Sequence, residues 1–325
     1  MRHGIATAYR PRDGVLICHC EENIDEAIPE RPQMRSLLFV PGDDERKIAK
    51  ALESAADALI LDLEDAVAPQ RKAAAREVCA STLRTTKTPK AMFVRINGLD
   101  TPHALADLAA VVAGKPFGLM LPKSSCGNDV RRLALYLDAL EAREGVEAGS
   151  VRILPIVTET AGSMFGLESY ADPAIPRLFG MLWGGEDLAA DVGATGNRGD
   201  DGRYAPAYEL ARSLCLFGAA SAGVLAIDAV YTNFRDSEGL KAEALLGLRS
   251  GFAAKAAIHP AQVDVINNAF TPSRSDVEQA KRVIAAFDAA GGAGVAALDG
   301  KMLDRPHLRG ARRTLERARE AGALD

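Results

Sequence analysis

From Ser36 onward, short apolar runs alternate with longer segments whose apolar residues recur at three- and four-residue spacing. The short runs predict eight strands, at residues 36–40, 58–63, 92–96, 118–121, 152–157, 178–183, 225–230 and 254–258. The segments between them, such as 45–56, 71–83, 129–143 and 205–222, predict amphipathic helices. Strand and helix in alternation give βα units and a parallel sheet. An open doubly wound sheet would place a glycine-rich phosphate loop after its first strand, and Pro41-Gly42-Asp43-Asp44 is not one. The expected fold is therefore α/β, a closed (β/α)8 TIM barrel over residues 34–270.

The flanks lack this rhythm. Residues 1–33 mix Arg, Pro, Glu and Gly without periodicity and read as a tail, with Met34 as a candidate translation start. Residues 271–325 read as a C-terminal helical extension or lid: a helix at 276–289 capped by Ser275, a Gly/Ala-rich linker at 291–297, and a charged segment at 312–321. Such a linker would let the extension move.

Composition narrows the function classes. With 48% hydrophobic and 26% charged residues among 325, the chain can bury a large core. A net charge of -5 argues against non-specific binding to nucleic acid or an anionic membrane. Cys18, Cys20, Cys79, Cys126 and Cys215 make no even disulfide framework, which fits a reducing cytoplasm. No apolar run approaches the ~20 residues that span a bilayer, and the N-terminus lacks an apolar signal core, so a cytoplasmic protein is expected. Cys18-His19-Cys20 offers three soft ligands with no fourth at zinc spacing and reads as a tail motif.

In a parallel barrel, chemistry gathers where the strands end, and polar residues follow the predicted strands closely. They are Asp62-Leu63-Glu64-Asp65, Arg95-Ile96-Asn97, Pro122-Lys123, Glu159-Thr160, Gly185-Glu186-Asp187, Asp228 and His259-Pro260. Any one of them could be ordinary loop polarity; the ring as a whole points to a site. Glu159 and Asp187 follow neighbouring strands, and two adjacent carboxylates call for a hard divalent cation, Mg2+ with Mn2+ as substitute. Glu186 is the alternative to Asp187. Arg95 suits a bidentate grip on a substrate carboxylate or carbonyl, with Asp62, Glu64 and Asp65 orienting it and bound water. A Schiff-base role for Lys123 is disfavoured because surrounding acids would keep its amine protonated. His259 serves either as a phosphate contact or as a structural residue of the last loop. Met181 and Trp183 read as core.

These residues carry a resemblance. Arg35-Ser36-Leu37-Leu38-Phe39-Val40-Pro41-Gly42, Asp62-Leu63-Glu64-Asp65-Ala66-Val67, Val94-Arg95-Ile96-Asn97, Leu121-Pro122-Lys123, Glu159-Thr160-Ala161, Gly185-Glu186-Asp187-Leu188 and Ile258-His259-Pro260 occur in order. In this the chain resembles the citrate lyase beta-subunit-like enzymes of the HpcH/HpaI aldolase family. The resemblance implies a Mg2+-dependent barrel with Glu159 and Asp187 as metal ligands and Arg95 binding the substrate's oxo or carboxylate group. It implies a coenzyme A thioester and a 2-oxo acid, pyruvate or glyoxylate, as small-molecule partners, with the pantetheine and ADP of the thioester cradled by Arg35 and the loops around Lys123 and His259. The stretch Asp299-Gly300-Lys301-Met302-Leu303-Asp304-Arg305-Pro306 resembles the family's lid, which implies that Asp304 acts as acid/base in a neighbouring subunit of a homotrimer or hexamer.

The reading that follows is a carbon–carbon lyase acting on a 3-hydroxyacyl-CoA such as (S)-citramalyl-CoA or malyl-CoA, with Arg95, Asp304, Asp65 and Glu64 as catalytic groups. A citrate lyase beta subunit working on an acyl-carrier thioester is usually shorter at its C-terminus. An aldolase on free hydroxy-oxo acids usually carries a histidine base where this chain has acids such as Asp65. A thioesterase needs the same residues plus a placed water, and an idle scaffold would have shed part of the charged ring.

Overall fold

The computed structural model describes residues 34–324 apart from 176 and 292–293; the tail with Cys18-His19-Cys20 lies outside the described residues. Its strands are β1 Ser36–Pro41, β2 Ala58–Asp62, β3 Ala91–Arg95, β4 Gly118–Leu121, β5 Arg152–Pro155, β6 Gly180–Leu182, β7 Leu225–Asp228 and β8 Ala254–Ala257. Each lies within two residues of the run that predicts it at both ends. They pair in parallel in the order β5-β4-β3-β2-β1-β8-β7-β6, and parallel bridges Ile153–Leu178 and Ile156–Leu182 join β5 to β6 and close the barrel.

Alternation along the strands sorts the side chains. Leu37, Ile60, Phe93, Met120, Leu154 and Ile227 fill the barrel, while Leu38, Leu59, Leu61, Val94, Leu119 and Ile153 turn outward under the helices. The helices are α1 Glu45–Leu52, α2 Lys72–Thr85, α3 Ala104–Val111, α4 Gly127–Glu144, α5 Glu186–Asp191, α6 Pro206–Ser221, α7 Ser237–Ser250 and α8 Val263–Phe270. Phe117 and Phe179 immediately precede β4 and β6, and with Phe93 they form a ring cluster at centroid separations of 5.2–5.6 Å. That cluster plugs the N-terminal end of the barrel. Gly118 is needed beside it, because a Cβ there would lie 2.7 Å from the Phe93 ring. With one end closed by packing, polar chemistry is confined to the other.

The extension differs from the all-helical expectation. After α9 Arg274–Ala289 the chain forms an antiparallel hairpin, β9 Val295–Leu298 and β10 Lys301–Asp304, before α10 Arg305–Glu320. Asp299 and Gly300 make its two-residue turn at φ 51° and 73°, the left-handed pair that a tight hairpin requires. The expected linker is thus partly a strand: Ala296 packs with Val283, Phe287, Leu303 and Ala311 in a core of the extension's own. Ser273, not Ser275, caps α9, since its hydroxyl accepts the Asp276 N–H at 3.2 Å while the Asp276 carboxylate accepts the Ser273 N–H at 2.9 Å. Among the described residues no helix is long and apolar enough to cross a membrane.

Candidate functional site

The site begins with a pair fixed by register. Asp62 and Arg95 sit opposite each other as the last residues of β2 and β3, so their side chains leave the barrel together. Asp62, only 2% exposed, accepts Arg95 Nε at 2.8 Å and Nη2 at 2.6 Å. It also accepts the backbone N–H groups of Glu64 and Ala66, which sets the loop that follows. The third nitrogen, Nη1, stands 3.0 Å from Glu64 and 3.6 Å from Asp65, with the guanidinium 5.1 Å over the Phe39 ring. The fork expected to grip substrate is therefore spent on Asp62, which leaves the Nη1 side for a ligand. Burial disfavours the Arg95 cation, but Asp62, Glu64 and Asp65 outweigh it and raise its pKa.

Behind this pair lies a strut that the sequence did not announce. The buried Lys72 ammonium donates to the carbonyls of Leu63 and Glu64 at 2.8 and 2.9 Å and to Asn97 Oδ1 at 2.7 Å. Asn97 in turn donates to Leu63 and to the buried Asp107, which Arg76 holds at 2.7 Å. Lys72 thereby ties the loop bearing Glu64 to the loop after Arg95. Its place in an amphipathic helix gave no signal of this.

Lys123 joins the next elements. Its backbone is left-handed at φ 52°, an arrangement that directs its N–H to Glu159 Oε2. Its ammonium donates to Glu64 Oε1 at 2.6 Å and lies 3.6 Å from Asp187 Oδ1. Burial works against that cation, yet Glu64, Glu159 and Asp187 raise its pKa, which favours the protonated amine and disfavours a Schiff-base role, as the acids around it in the sequence led one to expect.

Glu159 follows β5 and is 3% exposed. Burial, followed by the charges of Asp187 and Glu64, pushes its pKa up to about 8, against the Lys123 N–H and ammonium, which pull it down. Gly184 makes room for it: a Cβ there would lie 2.9 Å from Glu159 Cγ. Gly184→Ala is accordingly expected to displace the carboxylate and weaken divalent-cation binding by about tenfold or more, which a calorimetric Mg2+ titration would check. Asp187, half-exposed in the first turn of α5, faces Lys123, whereas its neighbour Glu186 turns to Asn197 Nδ2 at 2.8 Å. That geometry separates two carboxylates that the sequence left as alternatives.

Three expected members fall elsewhere. Arg35 precedes β1, at the opposite end of the barrel, where it donates to Asp57 at 2.7–2.9 Å and to Thr271 at 2.9 Å; it fastens the barrel floor and does not cradle a ligand at the mouth. A residue before a strand and one after it lie at opposite faces. Asp228 points outward into the wall, where its fully buried carboxylate accepts Trp183 Nε1, Arg212 and Lys255. Burial raises its pKa and the two cations lower it further than that, so the net shift is downward. Asp304 ends β10 and sits 2.5 Å from His307 Nδ1 within the extension, which holds its pKa low against slight burial. The chain's own fold pairs it with His307, not with the barrel carboxylates.

The group fits a hard cation. Glu159 is ionised only at a cost that positive charge would relieve, whereas Glu64 Oε2, which accepts no hydrogen bond, already has Arg95 Nη1 3.0 Å away. Among the described residues no three His, Cys, Asp or Glu side chains are close enough to cage an ion by themselves. A metal here would be held by Glu159 and Asp187 and would complete its shell with water and substrate oxygens.

Residues 35–260, from β1 through β8, match the HpcH/HpaI aldolase/citrate lyase family. The chain belongs to that family. A (3S)-malyl-CoA thioesterase from Cereibacter sphaeroides is 39% identical over 296 residues, covering 89% of this chain and 96% of the relative. The citrate lyase subunit beta of Haemophilus influenzae is 36% identical over 290 residues, 88% of this chain and 97% of the relative. The crystal structure of CitE from Mycobacterium tuberculosis in complex with magnesium, acetoacetate and coenzyme A superposes with a TM-score of 0.73 at 36% identity, covering 88% of this chain and 98% of that one.

Proposed function

We propose that this protein is a Mg2+-dependent carbon–carbon lyase that cleaves a 3-hydroxyacyl-CoA, such as (S)-citramalyl-CoA or malyl-CoA, into acetyl-CoA and pyruvate or glyoxylate. The observation that carries the reading is one arrangement: Arg95, locked by Asp62, beside the buried Glu159 and the Asp187 that Lys123 links to it. The magnesium and coenzyme A bound by the Mycobacterium CitE support it. Glu159 and Asp187 would hold the Mg2+, which supplies Lewis-acid charge for the oxygens of the oxo acid.

This chain's residues then divide the work. Arg95 presents Nη1 to the carbonyl oxygen that forms as the C2–C3 bond breaks, and it binds the adjacent carboxylate. The proton of the 3-hydroxyl passes to one of the two carboxylates beside that nitrogen, Glu64 or Asp65. The electron pair of the broken bond becomes a thioester enolate, and Asp304, reaching in from a neighbouring subunit of a homotrimer or hexamer, is the carrier that protonates it to acetyl-CoA, with the proton held on the hydrogen-bonded Asp304–His307 pair. The setting is a reducing cytoplasm.

Asp304→Ala is expected to lower kcat by about 10²- to 10⁴-fold with little change in KM, because a positioned acid is lost while the barrel is untouched. Mixing it with Glu159→Gln, itself inactive, should restore activity if each subunit borrows its neighbour's lid. Failure of the mixture to recover would put Asp304 in its own chain's site or out of the reaction.

A second reading is favoured by the 39% identical thioesterase: hydrolysis of (3S)-malyl-CoA, with water attacking the thioester. Products separate the two, since hydrolysis releases coenzyme A thiol and malate with no oxo acid. Turnover of free citramalate alone would remove the thioester from both.

A further inference from the structure

The helix that carries Asp187 in its first turn, α5, is six residues long, too short to persist without outside ties. It is fastened at both ends. Its last residue, Asp191, accepts the Ala161 N–H at 2.7 Å and so joins the loop bearing Glu159. Its first residue, the exposed Glu186, accepts Asn197 Nδ2 at 2.8 Å, and Asn197 is only 8% exposed.

Asn197 stands at the neck of a closed loop. Its carbonyl accepts the Ala205 N–H at 2.9 Å, Arg198 and Tyr204 form an antiparallel bridge, and Gly199 donates to the Arg203 carbonyl at 2.9 Å. Arg198 clamps this loop to the barrel wall: its guanidinium lies 3.7 Å from the Tyr204 centroid, and Nη1 reaches the Gly202 carbonyl at 2.9 Å and Glu243 of α7 at 2.8 Å. Glu243 in turn pairs at 2.9 Å with Lys255, a fully buried ammonium on β8. An exposed glutamate ordinarily samples many directions. Glu186 instead meets an amide whose backbone is held, through Arg198 and Glu243, by the wall itself.

We propose that Asn197 is a positioning residue for the cation site: by holding Glu186 it fixes the first turn of α5, and with it the carboxylate of Asp187 toward Lys123 and Glu159. The inference rests on the reading of Glu159 and Asp187 as the cation's ligands. The contact of Asp187 with the Lys123 ammonium, at 3.6 Å, is too long for a hydrogen bond, so the direction of that carboxylate follows the turn it stands on. Of two adjacent acids, Glu186 anchors and Asp187 coordinates. Cutting the tie lets Asp187 swing, and the ion loses a ligand held ready for it.

The test is a calorimetric titration of Mg2+ into the full-length protein and into Asn197→Ala, Glu186→Ala, the double variant of both, and Glu186→Gln. Each single Ala variant is expected to weaken Mg2+ about tenfold, and the double variant no further, since both changes remove the same bond. Glu186→Gln keeps an oxygen for the Asn197 amide and should bind Mg2+ within about twofold of the parent. Because Glu186 is exposed, Glu186→Ala should melt with the parent, which keeps its result readable even where Asn197→Ala loses stability. Parental Mg2+ affinity in Glu186→Ala, or additive losses in the double variant, would overturn the positioning role and leave the cation site standing. A loss in Glu186→Gln equal to that in Glu186→Ala would overturn it too, by making the Glu186 charge itself a ligand. A parent protein that takes up no Mg2+ would sink the cation reading, and the role of Asn197 with it.

Discussion

Arg95→Lys is expected to lower kcat/KM by about 10²- to 10³-fold although the charge is kept. Lysine offers one ammonium where arginine offers a planar fork. Asp62 uses Nε and Nη2 at 2.8 and 2.6 Å, and what reaches the mouth is Nη1, 3.0 Å from Glu64. An ammonium can satisfy Asp62 or face substrate, not both. Arg95→Ala is harsher, because it strands Asp62 as a buried carboxylate without its cation and leaves Glu64 to Lys123 alone, at a stability cost of about 3–5 kcal/mol. Comparing kcat/KM and melting temperature across the two variants separates the roles: Lys should hurt catalysis far more than stability, and Ala both. A Lys variant with parental kcat/KM would remove Arg95 from the chemistry.

Glu159→Gln is expected to abolish the response to Mg2+ and to cost about 10³-fold or more in kcat, since an amide is a poor ligand for a hard cation. The parent protein's pH dependence follows from the same carboxyl. Its folded pKa of about 8 lies above the ordinary carboxylate value of 4.5, so the metal-free folded state binds a proton that the unfolded state releases. The stability this group contributes is therefore complete at the acidic end and falls as pH rises through that window toward about 8. Mg2+ binds the ionised form, and its apparent affinity should rise about tenfold per pH unit up to that value and then level off. Thermal melts at several pH values, with and without Mg2+, should show a metal-induced stabilisation that grows with pH in the parent and is absent in Glu159→Gln. A pH-independent response would place the metal on other ligands.

The barrel was legible because its signals are local and repeated. Every strand is a short apolar run closed by polar residues, and alternation inside and outside the barrel needs only residue order. The mouth was legible for the same reason: Asp62 and Arg95 end their strands, Lys123, Glu159 and Asp187 follow theirs, and the fold brings strand ends together. What failed was anything that depended on direction or distance. Arg35 belongs to a matching motif but precedes its strand, so it went to the floor; Asp228 ends a strand yet faces the wall, because Ile227 before it faces the barrel. Lys72 was invisible, since a helix lysine that points inward has the same spacing as one that points to water. The hairpin around Asp299-Gly300 was hidden among glycines and alanines that read as a linker. Which oxo acid is released turns on about one methyl group in a pocket, a difference of ~1–3 kcal/mol that strand ends do not encode.

The measurement that bears most directly on the account is the product balance when the protein meets malyl-CoA and (S)-citramalyl-CoA with Mg2+ and again with EDTA. Acetyl-CoA and glyoxylate or pyruvate should appear in equal amounts, and EDTA should stop both. Turnover that survives EDTA, or coenzyme A thiol released with no oxo acid, would contradict a metal-dependent lyase built on Glu159 and Asp187.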